Sequence, residues 1–394
     1  MDSLSQPEKA PLSHGPPLEW IDWSIRLLAC AVAIAALTSQ LITRAPNNEG
    51  ALSLVILAGL IVIYLLGSIE PVARRLYAWA QSNPVGMAFP PLLLLIPYVV
   101  FGRRSAQFDV SDVLVAVILL FLPVALTLMN TPRLKWGDIG LGLVSVAMPL
   151  VAPILRNESI TATDGLLRAG AFALPVLLLA LTTRQQKERL NFHFLCAVLA
   201  LWYSIEFKAF PSFNLPGQPT EMSYFQLAAI CTFLYVLAIA GRFGALGLSF
   251  KPSPRGLSIV ASNLAIFALI AVPVGLISGF IKPGLTPASL GEALTRAFVL
   301  YLTIALPEEI LFRGALLSYL NDALRWPQAQ TIALSALVFG AAHLNNSPNP
   351  GWYFVLATVA GVFYARTYLA TKNVAAAATL HAAVDWLWAL VFAG

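Results

Sequence analysis

Leu306-Pro307-Glu308-Glu309-Ile310-Leu311-Phe312-Arg313 is the stretch whose reading decides the fold. The residues before it, from Leu294, are largely apolar, and Gly314 to Leu320 is apolar again. A charged side chain at the centre of a membrane helix costs roughly 2.5 to 3.5 kcal/mol on insertion scales. Two adjacent carboxylates and an arginine in such a run therefore mark a functional site as well as a span. On a helix Glu309 and Arg313 lie four apart on one face, with the acid on the N-terminal side, the better orientation for pairing. Glu308 is turned about 100° away and is left to meet another helix. Pro307 loosens the helix just before the carboxylates, because it has no N–H to donate.

The whole chain has the same character. Of its 394 residues 58% are hydrophobic and 11% charged, against about 25% charged in soluble domains. The fold expected is all-α, a polytopic transmembrane helical bundle. Hydropathy marks candidate segments at 23–42, 51–69, 86–101, 110–129, 138–155, 166–182, 191–208, 222–241, 257–280, 293–320, 330–344, 351–370 and 374–393, so that about 11–13 membrane segments are expected. Residues 1–20 hold four prolines and few apolar runs, and read as a disordered tail without the basic region of a secretory signal. Residues 21–245 read as accessory membrane helices, and 246–394 as the bundle carrying the chemistry, with its motifs in 306–385. Residues 71–82, with Arg74, Arg75, Tyr77 and Trp79, suit the headgroup level of a bilayer. The balance of Lys and Arg between alternate loops favours a cytoplasmic N-terminus.

The net charge of +5 belongs to this topology. No basic cluster interleaved with polar and aromatic side chains offers a nucleic-acid face, so no nucleic-acid partner is expected. Cys30, Cys196 and Cys231 stand singly in apolar runs, which suits packing residues and neither a disulfide framework nor a zinc ribbon.

Two further polar constellations lie on apolar segments. Phe339-Gly340-Ala341-Ala342-His343 places Phe339 and His343 four apart, with small residues between them that let another helix approach. His381-Ala382-Ala383-Val384-Asp385 places His381 and Asp385 four apart on the last segment. Of the other histidines, His14 is in the tail and His193 begins a segment, where an interfacial position is expected. A carboxylate and two imidazoles can activate a water. Burial of Glu308 disfavours its anion and suits it to act as general base and then general acid. His343 can share the water, and His381, steadied by Asp385, can stabilise the oxyanion at an attacked carbonyl.

Glu308-Glu309-x-x-x-Arg313, Phe339-x-x-x-His343 and His381-x-x-x-Asp385, in this order on separate apolar segments, resemble the CPBP family of type II CAAX prenyl endopeptidases and bacteriocin-processing or immunity proteins. The resemblance covers roughly 290 to 393. It implies an intramembrane endopeptidase that hydrolyses a peptide bond of a membrane-associated protein or peptide, working in the lipid bilayer, with a bacterial inner or plasma membrane as its expected location. It assigns water activation to Glu308 and His343, oxyanion stabilisation to His381 and Asp385, and structural support to Glu309 and Arg313. The chain departs from the family at Asp385, where Asn is usual: an amide donates to an oxyanion, whereas an ionised carboxylate only accepts. Glu308, His343, His381 and Asp385 are also a donor set that suits zinc or another divalent metal, so chemistry without a required metal and chemistry with one both stand at this point. A non-catalytic immunity or scaffold protein on the same frame, and a proton-coupled transporter, are the alternative functions.

Overall fold

The computed structural model describes residues 59, 64, 70–102, 110–129, 133–155, 175–181, 192–206, 224–240, 246–250, 253–285, 288–323, 325–344, 346 and 349–393. The expected tail, the expected segment 23–42, Cys30 and nearly all of 51–69 lie outside them. What is described is all-α. Helices α1 (Glu70–Ser82), α2 (Phe89–Gly102), α3 (Val110–Leu128), α4 (Trp136–Leu155), α5 (Phe192–Glu206) and α6 (Tyr224–Ile239) come first. Then follow α7 (Pro254–Ile277), α8 (Leu290–Asn321), α9 (Gln328–Ala341), α10 (Pro350–Thr371) and α11 (Val374–Val391). Each expected segment from 86 onward has a helix within a few residues of it, apart from 166–182, of which only 175–181 is described. Among the described residues α3, α7, α8, α10 and α11 are long and apolar enough to cross a membrane. The pair α1 and α2 passes together but is bent by 119°. That bend separates the amphipathic α1, with Tyr77 and Trp79 exposed, from the apolar α2.

Helix α8 is the unusual element. It begins with a capping box, in which the Ser289 hydroxyl accepts from the Glu292 N–H and the Glu292 carboxylate accepts from the Ser289 N–H. It then widens into π-helical turns over Tyr301–Ala305, returns to α-helix over Leu306–Glu309, and widens again over Ile310–Leu317 and Tyr319–Ala323. The Leu306 N–H reaches back to the Tyr301 carbonyl, five residues away. Proline inside a helix removes one backbone bond and pushes its ring at the carbonyl four residues earlier. The wide turn immediately before Pro307 relieves that crowding. Such turns are rare and gather at functional sites.

Small residues bring α9 and α10 together. A Cβ on Gly340 would meet the Thr358 hydroxyl and lie 2.7 Å from the Phe354 carbonyl, and one on Gly361 would lie 3.0 Å from Ala336 Cα. The approach expected of Gly340 is thus realised against α10. Polar ties complete the bundle: Ser335 Oγ donates to the Phe312 carbonyl at 3.1 Å, and Asn263 Nδ2 to Thr367 Oγ1 at 2.8 Å. A two-residue antiparallel pair, β1 (Lys282–Pro283) with β2 (Phe392–Ala393), fastens the end of α11 to the loop before α8.

The apolar core is continuous across residue 245. One cluster runs from Tyr64, Val115 and Leu119 through Phe225 and Leu234 to Leu302, Leu306 and Ala382. Tyr64 Oη donates to the Leu302 carbonyl at 3.0 Å, and the Trp202 ring meets Phe312 edge-on at 5.7 Å. Cys196 and Cys231 are buried, free thiols within this packing. His193, at the start of α5, is fully buried, with Nε2 3.3 Å from Asp138 Oδ1. The start of α5 packs on the start of α4, where Asp138 also accepts from the Lys135 N–H at 2.7 Å. The Asp138 carboxylate thus gives the imidazole a polar contact inside the bundle.

Candidate active site

The three motifs meet where α8, the end of α9 and α11 converge. Glu309 is the centre of the polar network. Its Oε1 accepts from Arg313 Nη1 at 2.9 Å and contacts His381 Nδ1 at 2.9 Å. Both Glu309 and Arg313 are wholly buried. Arg313 Nη2 donates to the Gly361 carbonyl at 3.1 Å. Its guanidinium carbon sits 4.5 Å from the Phe339 ring centre and 5.2 Å from that of Tyr364. The charge is thus met by a carboxylate, a carbonyl and two aromatic faces, the kinds of partner that make burial of a guanidinium tolerable.

The i,i+4 pair read from sequence is present, but it does more than brace α8. Because a carboxylate only accepts, the short contact to Glu309 puts the hydrogen of His381 on Nδ1. That leaves Nε2 facing the open part of the site, 3.4 Å from Asp385 Oδ2 and 3.9 Å from Glu308 Oε2. The ring itself is held flat against Tyr364, with centroids 4.6 Å apart and planes 19° apart, and edge-on to Phe339 at 5.5 Å. The role of Glu309 in holding His381 was invisible in the spacing, because its pairing with Arg313 already accounted for its charge. The only sequence signal was that two carboxylates stood side by side, of which one cation could serve one.

Glu308 and Asp385 are the exposed members. About a third of each side chain is accessible (33% and 32%), against 3% for His381. Glu308 Oε2 is enclosed and has no hydrogen-bond partner. His343 sits in the turn that follows α9, not on the helix. Its Nδ1 lies 2.8 Å from the Phe339 carbonyl and its ring 4.7 Å from the Phe339 ring. A carbonyl cannot donate, so Nδ1 carries the hydrogen and Nε2 keeps a lone pair available to a water. His381 and Asp385 are near enough to His343 to interact with it electrostatically. Phe339 therefore supports the site in two ways: its ring separates and orients both imidazoles and covers Arg313, and its carbonyl sets the tautomer of His343.

Among the described residues no three His, Cys, Asp or Glu side chains are arranged to hold a metal ion.

Residues 290–387 match the family described as type II CAAX prenyl endopeptidase, Rce1-like. The C-terminal region is Rce1-like in sequence, consistent with its CPBP-type motifs. No curated protein and no solved structure matches the chain. The Rce1-like region runs from the capping box of α8 to the last turns of α11 and contains every residue of the network just described. Together with the long apolar helices, it makes the chain an integral multi-pass membrane protein.

Proposed function

We propose that this protein is an intramembrane endopeptidase that hydrolyses a peptide bond in a membrane-associated protein or peptide. The observation that carries the reading is the division of labour between adjacent glutamates: Glu309 is buried and holds His381 through Nδ1, while Glu308, partly accessible and unpartnered, faces His381 Nε2. In the proposed reaction a water lies between Glu308 and His343 Nε2. Glu308 takes its proton as the oxygen attacks the scissile carbonyl. Negative charge forms on the carbonyl oxygen, and His381 Nε2, when protonated, donates to it. Glu308 then returns the proton to the leaving nitrogen, the C–N bond breaks, and a carboxylic acid and an amine result. Asp385 accepts from His381 Nε2 between turnovers and keeps the ring in register. Its Oδ2 distance of 3.4 Å suits that orienting role. This division also accounts for an aspartate where the family usually has Asn, since an orienter need only accept.

The test is comparison of protein N-termini in membranes carrying the wild-type chain and membranes carrying Glu308→Gln. Specific N-termini should disappear in the variant while its abundance is unchanged. Identical sets of termini would overturn the assignment. Full rescue of a deletion phenotype by a Glu308→Ala, His343→Ala double variant would point instead to a scaffold.

A further inference from the structure

A second polar recess lies between the start of α7 and the junction of α10 with α11. It is a cavity of about 470 Å³. Its polar lining includes Ser253, Arg255, Tyr301, Lys372, Asn373 and Thr379, and no Asp or Glu contributes to it. Arg255 and Lys372 are exposed, and neither is ion-paired to a described residue. Arg255 stands in the first turn of α7, where the helix dipole is positive and a cation is disfavoured. No described residue offsets that placement, whereas an anion in the cavity would.

The mouth is preformed. Lys372 adopts a left-handed backbone, φ 52°, at the end of α10, a position that favours Gly or Asn. It is held there from both sides. Gly247, itself at φ +69°, packs so closely on the Lys372 carbonyl that a Cβ would collide with it. Asn373 bonds Ser249 in both directions, donating to its carbonyl at 2.8 Å and accepting from its N–H at 3.2 Å. Val374 N–H donates to the Gly247 carbonyl at 3.1 Å. The backbone that carries Lys372 is thus ordered before any ligand arrives.

The surface leading away from the mouth is apolar. Ile259 lines the cavity, and Ile266 and Ile270, seven and eleven residues further along the same side of α7, are exposed. We infer that the cavity holds the phosphate headgroup of an anionic phospholipid, whose acyl chains lie along this surface of α7. A soluble phosphate would share the contacts to Arg255 and Lys372 but would gain nothing from the apolar track.

Native mass spectrometry of the detergent-purified full chain tests this with phosphatidylglycerol, phosphatidylcholine and inorganic phosphate as probes. The variant is Arg255→Gln with Lys372→Asn, the second change chosen because Asn tolerates the left-handed turn. A control, Lys282→Gln with Arg296→Gln, removes the same charge outside the cavity. Wild type and control should retain phosphatidylglycerol, and the cavity variant should bind it roughly thirtyfold more weakly, as expected for two interfacial cations. Equal retention by variant and control would overturn the inference. So would equal retention of phosphatidylcholine, or displacement of phosphatidylglycerol by millimolar phosphate. Should the double variant not stay monodisperse, Arg255→Glu carries the same comparison, since an acid suits the first turn of α7.

Discussion

Replacing Glu308 or Glu309 by Gln changes one atom at neighbouring positions and should have opposite consequences. Glu309 is completely buried and its Oε1 serves both Arg313 and His381. Gln at 309 keeps one acceptor oxygen, so it can satisfy Arg313 or His381, while its amide adds two hydrogens where a carboxylate oxygen stood. Arg313 keeps the Gly361 carbonyl and its aromatic covers but loses its counter-charge. Removing one partner of a buried pair costs about 3 to 5 kcal/mol. With the remaining contacts and an isosteric replacement, a loss of about 3 kcal/mol is expected, roughly a hundredfold in the folded-to-unfolded ratio. Glu308 is a third exposed and accepts no hydrogen bond through Oε2. Neutralising it should change stability by less than about 1 kcal/mol, yet abolish cleavage. The assay pairs unfolding in a denaturing detergent titration with cleavage of a membrane peptide, both on the same purified protein. Glu308→Gln should unfold with wild-type behaviour and be inactive. Glu309→Gln should unfold at markedly lower denaturant and retain only a fraction of activity. If Glu308→Gln is the variant that unfolds early, or if Glu309→Gln is as stable as wild type, the division of roles between the two is wrong.

Asp385→Asn should keep at least a tenth of the activity, because the side chain is expected to orient His381 and not to carry the proton; a loss as complete as that of Glu308→Gln in cleavage rate would assign Asp385 to the chemistry itself. Gly340→Ala should lower thermal stability by a cost on the order of 1 to 3 kcal/mol, read by size-exclusion after heating, since its Cβ would press on the Phe354 carbonyl and Thr358 of α10. Exhaustive chelation should leave cleavage unchanged. Loss of activity that zinc restores would instead place a metal among Glu308, His343, His381 and Asp385.

The helices were legible because membrane spans are written in composition: long apolar runs between charged or Pro-rich breaks, as at 110–129 and 351–370, need no knowledge of neighbours. The meeting of Glu308, His381 and Asp385 was legible as a set, because ionisable groups in such runs must find one another. Which contacts form was not. Glu309 reaches His381 across helices through a geometry that depends on how α8 and α11 cross. His193 begins its segment, and only the packing of α5 on α4 brings Asp138 to it. The wide turns of α8 leave no mark on hydropathy. Pro307 announced a disturbance but not its form.

Those wide turns carry a consequence for the spacing of the chain itself. A π turn spends one residue more than an α turn on each hydrogen bond, so the stretch Tyr301–Ala305 acts as a phase adjuster for all that follows it in α8. Winding the same residues as ordinary α-helix would leave every apolar side chain apolar. It would also rotate the pair of glutamates by about 100° relative to the incoming helix. Both Glu309 and Glu308 would turn away from His381. The different roles proposed for two adjacent, chemically equal residues thus depend on a count made several residues upstream.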